Sequence, residues 1–117
     1  MARALLLLAR APGLPEGDTA QGLEMDVALT PQGQIDAAAW QADPEPWRTR
    51  RFAPGEADHI YELIRDDEAW TLRGAAGDDD PPWRLELRTL RPGEYASART
   101  PAGDELVFRV VSVTQAA

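Results

Sequence analysis

The chain has 117 residues, a formal charge of −8 and no cysteine, and its single histidine is His59. That length suits one domain, because a chain of this size buries only about two-thirds of its unfolded surface even when compact. Disulfides, thiolate nucleophiles and zinc ribbons are excluded, and the negative field opposes phosphate backbones and anionic lipid heads.

All twelve basic residues are arginine, lysine and asparagine are absent, and serine occurs only at Ser97 and Ser112. Such usage follows from codons rich in guanine and cytosine, as in a bacterial genome of high GC content, and it removes most side chains that carry catalysis. Neither nucleic acid nor a membrane is expected as a partner, no cofactor or metal is indicated, and the expected location is the cytoplasm.

From the N-terminus, six apolar residues lie between Arg3 and Arg10, short of the ~7–15 of a secretory signal. The run predicts a first strand covered on both faces. Ala11 to Gly22, rich in proline, glycine and acidic residues, reads as a solvent-exposed loop. Leu23, Met25, Val27 and Leu29 then alternate with Glu24, Asp26 and Ala28, the period of a strand with one wet face. Thr30 and Pro31 read as a helix N-cap and first-turn proline, and Ile35 to Ala42 as one short helix stopped by Pro44, with Ile35, Ala39 and Trp40 as its apolar stripe.

The second half carries a candidate internal duplication. Asp43-Pro44-Glu45-Pro46-Trp47-Arg48 resembles Asp79-Asp80-Pro81-Pro82-Trp83-Arg84, and each is followed by a Pro-Gly-Glu turn, at Pro54 to Glu56 and at Pro92 to Glu94. Chance is a strong competitor, because ten prolines and nine glycines repeat turn tripeptides without common descent. Either origin predicts two three-stranded meanders, with strands at Trp47 to Phe52, His59 to Arg65, Ala69 to Arg73, Trp83 to Leu90, Tyr95 to Thr100 and Glu105 to Val113. In the fourth, Trp83, Leu85 and Leu87 face in and Arg84, Glu86 and Arg88 face out. The last is apolar on both faces and should be central or covered on both sides. The expected fold is one all-β domain with a short helix, a small antiparallel barrel or two-sheet sandwich of about eight strands.

Few residues suggest chemistry. His59 opens a strand beside a polar turn, an ordinary surface position, and neither serine sits in a nucleophile elbow. Asp78-Asp79-Asp80 and Asp66-Asp67-Glu68 are oxygen-rich, yet contiguous aspartates diverge where calcium loops alternate their ligands, so solvated turns are the simpler reading. Trp70 and Trp83 fit inward strand positions. Trp47, at a loop-to-strand junction, and Trp40, on the short helix, are candidate contact residues together with Tyr61. Arg48 and Arg50 share a face, with Arg51 on the other, and such a pair grips a carboxylate or phosphate unless acids of the same chain pair with it.

The candidate binding residues are therefore Trp40, Trp47, Arg48, Arg50 and Tyr61, with no catalytic or metal site. The leading expectation is a noncatalytic binding or assembly domain that recognises an unknown protein partner through a sheet edge or a loop-borne aromatic patch. An alternative is a module for an apolar or sugar-like small ligand, held at an open barrel end or sheet face. A carboxylate-based enzyme using His59 is the remote third reading. A second copy of the chain is a further candidate partner, through an uncapped edge such as Ala69 to Arg73 or Tyr95 to Thr100.

Overall fold

The computed structural model describes residues 1–67, 69–74 and 81–115. Its elements in chain order are β1 (Ala2–Arg10), β2 (Asp18–Val27), α1 (Ala37–Ala42), β3 (Arg48–Phe52), β4 (His59–Asp66), β5 (Ala69–Gly74), β6 (Trp83–Glu86), β7 (Tyr95–Arg99) and β8 (Glu105–Gln115). Each strand pairs antiparallel with the next, and β8 returns to β1 through pairs such as Ala4 with Val113 and Leu6 with Val110. The choice between barrel and sandwich thus resolves to a closed eight-stranded up-and-down barrel. Among the described residues no helix is long and apolar enough to cross a membrane.

Strand parity decides what fills the bore. Ala4, Leu6 and Leu8 of β1, Leu23, Met25 and Val27 of β2, Leu63, Leu72, Leu85, Phe108 and Val110 all join one buried cluster. An eight-stranded barrel is just wide enough for its inward side chains, and each fully buried aliphatic side chain contributes roughly 1.5–3 kcal/mol. The outward residues correct one expectation, that β1 is covered on both faces, and decide another: β8 is central, paired with β7 on one side and β1 on the other, and is not covered on both faces. Leu5 and Leu7 are half-buried, Arg109 is exposed, and Val111 is 44% exposed at a bulge where the β1–β8 register shifts.

Three boundaries also move. The first loop is shorter than expected, because Ala11 and Leu14 exchange backbone hydrogen bonds of 3.0 and 2.9 Å and β2 begins at Asp18. Gly17 permits this turn: its φ is +74°, and a Cβ there would sit 2.2 Å from the Leu8 carbonyl oxygen. The helix is capped by Asp36, whose carboxylate accepts from Ala39 N–H at 3.0 Å, and not by Thr30. Thr30 instead closes a turn with Gln34 and Gly33, and Leu29 bridges to Ile35. Finally, β6 ends at Glu86 instead of Leu90. Leu90 is pulled off the strand line, 1% exposed, with its N–H donating to Gly33 carbonyl at 2.8 Å.

In a meander, successive connections alternate between the two ends. The β1–β2, β3–β4 and β7–β8 turns define a hairpin end, while α1 and the β4–β5 and β6–β7 connections lie at the helix end. The Pro54 to Glu56 turn is consequently at the hairpin end and the Pro92 to Glu94 turn at the helix end. Asp66 and Asp67 form the start of the β4–β5 turn, with Asp67 in the left-handed region at φ +46°. Asp78-Asp79-Asp80 and Glu68 lie outside the described residues.

Candidate functional site

The five candidate binding residues do not converge on one site. Trp47 faces the bore, 3% exposed, and its indole N–H donates to Asp43 Oδ2 at 2.7 Å. Trp40, on α1, is half-buried: its N–H donates to Leu63 carbonyl at 2.9 Å, and its ring stands edge-on to Trp70 at 5.7 Å. Both indoles close the helix end, so the expected loop-borne aromatic patch is replaced by packing. Tyr61 is also turned inward, 8% exposed, but toward the hairpin end, where its ring meets Trp83 at 5.9 Å.

Arg48 and Arg50 share the outer face of β3, as their spacing predicts. Arg50 is held by acids of its own chain, Asp58 at 3.0 Å and Glu24 at 3.6 Å, and lies over the Phe52 ring at 4.9 Å. The hydrogen bond to Asp58 is the main cause that raises its pKa, so its charge is already engaged. Glu62, the cross-strand neighbour of Arg48, pairs instead with Arg73 at 3.1 Å. Arg48 is left exposed at a shallow depression beside Asp26, Asp43 and Glu45.

The more distinctive feature is a step in the barrel wall below the short β6. Glu86 pairs with Ser97, and the chain then leaves the sheet, so β7 extends past its neighbour by Tyr95 and Ala96. Val110 N–H donates to Glu94 carbonyl at 2.8 Å. Because hydrogen-bonded pairs alternate along an antiparallel ladder, this register turns Ala96 toward β8 and Tyr95 N–H and C=O toward the line of β6. The sheet provides no partner for them there. These two groups border a trough of about 540 Å³ whose rim carries Arg84, Glu86, Arg88, Glu94, Tyr95 and Ser97. Tyr95 is 60% exposed, the largest value among the exposed large hydrophobic residues described. Among the described residues, none of the four charged side chains of this rim forms an ion pair.

None of these rim residues is among the five candidate binding residues, although Tyr95 and Ser97 lie in the Tyr95 to Thr100 stretch that the sequence offers as an edge for a second copy, and one further signal marks the step. Trp83, Leu85 and Leu87 hold a period of two, and Leu90 falls out of phase with them, the mark of a strand that has ended. Comparison of the chain with protein-family models, curated proteins and solved structures finds no match in any of the three.

Proposed function

We propose that the protein is a noncatalytic recognition domain that receives an extended segment of a protein partner as a short added strand at the Tyr95 step. The observation that carries this reading is the pair of Tyr95 backbone groups aimed into the trough without a sheet partner. Backbone pairing of this kind supplies affinity in β-strand addition, while flanking side chains supply specificity. Closure of the barrel leaves β5 paired with β4 and β6, and β7 with β6 and β8, so a partner has this step to use rather than a whole edge. Alternating charge on the rim, Arg84, Glu86 and Arg88, favours a segment that itself alternates acid and base. The absence of lysine and cysteine from the chain supports recognition over chemistry.

The test is selection from a displayed library of random heptapeptides, followed by comparison with Tyr95→Pro. Proline removes the N–H that faces the trough and leaves the β8 ladder intact, a substitution tolerated where a strand's N–H faces solvent. Selected peptides should slow hydrogen exchange at the Tyr95 amide in wild type and lose binding to the folded proline variant. Peptides that bind both proteins equally would show that the step is not the site.

A further inference from the structure

The Tyr95 step is a slot with one closed end. β5 and β7 both pair with β6, for example Trp70 with Leu85 and Leu85 with Ala98. From Trp83 to Glu86 the line between them is filled by β6 itself, and past Glu86 the chain leaves that line. The stretch of β7 left over is Tyr95 and Ala96, about 7 Å at a rise of about 3.4 Å per residue. A segment lying in the plane of the sheet therefore cannot run through the slot. It meets β6 at Glu86 and must itself begin or end there.

Ladder direction decides between these. β5 and β7 are each antiparallel to β6 and so run parallel to one another, from the helix end toward the hairpin end. A segment that takes up the line of β6 with the antiparallel pairing found throughout this barrel runs the way β6 runs, and antiparallel pairing is slightly the more stable of the two. Its first residue then lies against Glu86, and its later residues pass outward at the helix end.

Charge agrees with that direction. Glu86 is exposed, is the last residue of β6 and has no ion pair among the described residues. Arg84 lies further back along β6 and Arg88 past the point where the chain exits, so Glu86 is the rim charge at the closed end itself. Glu94, beside Tyr95, is a second acid on the same rim. A protein charge of −8 attracts a cationic chain end and repels an anionic one.

We propose that the step captures the free N-terminus of its protein partner, the leading residues lying beside Ala96 and Tyr95 and the α-ammonium received by the Glu86 carboxylate. This rests on strand addition at Tyr95 and adds to it which part of the partner enters. Capture of a terminal amine is an established mode of peptide recognition.

The experiment uses three soluble pools of random heptapeptides of one composition, with both ends free, N-acetylated or C-amidated, and reads retained peptides by mass spectrometry. The free and the C-amidated pools should be retained alike, and acetylation should lower retention at least about tenfold, as for a charge partner removed from a close pair. Glu86→Gln, at an exposed position, should keep the fold, weaken free-amine peptides several-fold and leave acetylated ones unchanged. Raising the pH from 7 to 9 should weaken free-amine peptides alone, because an α-amino group loses its proton near ~7.7–8.0. Equal retention after acetylation, with binding still lost in Tyr95→Pro, would overturn terminal capture and leave strand addition standing. Loss on C-amidation, or a greater loss in Arg84→Gln or Arg88→Gln than in Glu86→Gln, would assign the slot to a carboxyl end instead and overturn the proposal. Retention of no pool, or equal retention by Tyr95→Pro, would overturn strand addition and this inference with it.

Discussion

Asp43 Oδ2 accepts a hydrogen bond of 2.7 Å from the Trp47 indole N–H, while its Oδ1 accepts from the Glu45 backbone N–H at 3.0 Å. The backbone bond from Glu45, followed by the indole bond, holds the Asp43 carboxyl below the usual carboxylate range. A carboxyl depressed in the folded state adds stability above its unfolded value, near ~3.9, and that stability is lost as pH falls through the folded value. Asp43→Asn keeps an acceptor but loses the charge. It should melt below wild type at neutral pH, with the two melting temperatures converging as pH is lowered from about 4. A gap that stays constant across that window would remove Asp43 ionisation from the account of this corner.

Trp47 itself is interior. Trp47→Ala should cost about 3–5 kcal/mol, as for a large aromatic deleted from a core, and should exceed the cost of Trp83→Ala, whose ring is only half-buried. Urea midpoints of the two variants measure the order directly. A Trp47→Ala midpoint near wild type would place this indole on the surface instead.

The contrast between these tryptophans shows what residue order can and cannot encode. Trp47, Thr49 and Arg51 share a parity opposite to Arg48 and Arg50, so their common face was legible. Which face lies inside was not, because Arg48, Arg50 and Arg51 make β3 look polar on both. Leu23, Met25 and Val27 declared their strand because every outward neighbour is acidic or small. Closure was beyond reach, since it rests on β1 meeting β8, for example Ala2 with Gln115, a pairing that local period does not specify. The Tyr95 step was hidden for a related reason: it exists only because Leu90 leaves β6 to pack under the Gly33 turn, a contact between distant segments.

Asp67 offers a stabilising substitution. Its φ of +46° belongs to the left-handed region, which aspartate tolerates better than most residues but glycine occupies without steric cost. Asp67→Gly should raise stability by up to about 1 kcal/mol at this turn, read as a higher urea midpoint. A lower midpoint would mean that the Asp67 side chain contributes more to the turn than its backbone costs.

Two glycines separate conformational need from spatial need. Gly55 has φ +72° and nothing within 4 Å of a built Cβ, so Gly55→Ala tests backbone strain without a clash. The expected loss is about 1–2 kcal/mol, the cost of a left-handed conformation for an ordinary residue. Gly22 has no such φ, yet a Cβ there would lie 2.2 Å from Leu6 carbonyl oxygen and 2.8 Å from Phe52 Cζ. It stands beside the β1–β2 irregularity that follows Leu7, where backbone and not a flexible side chain is the nearest obstacle. Gly22→Ala must move one strand against the other and should cost more than Gly55→Ala, above the about 1–3 kcal/mol typical of overpacking. Hydrogen exchange should locate the loss at β1 and β2 for Gly22→Ala and leave those strands protected in Gly55→Ala. The reverse order of stabilities would mean that the β1–β2 ladder yields more easily than its close approach implies.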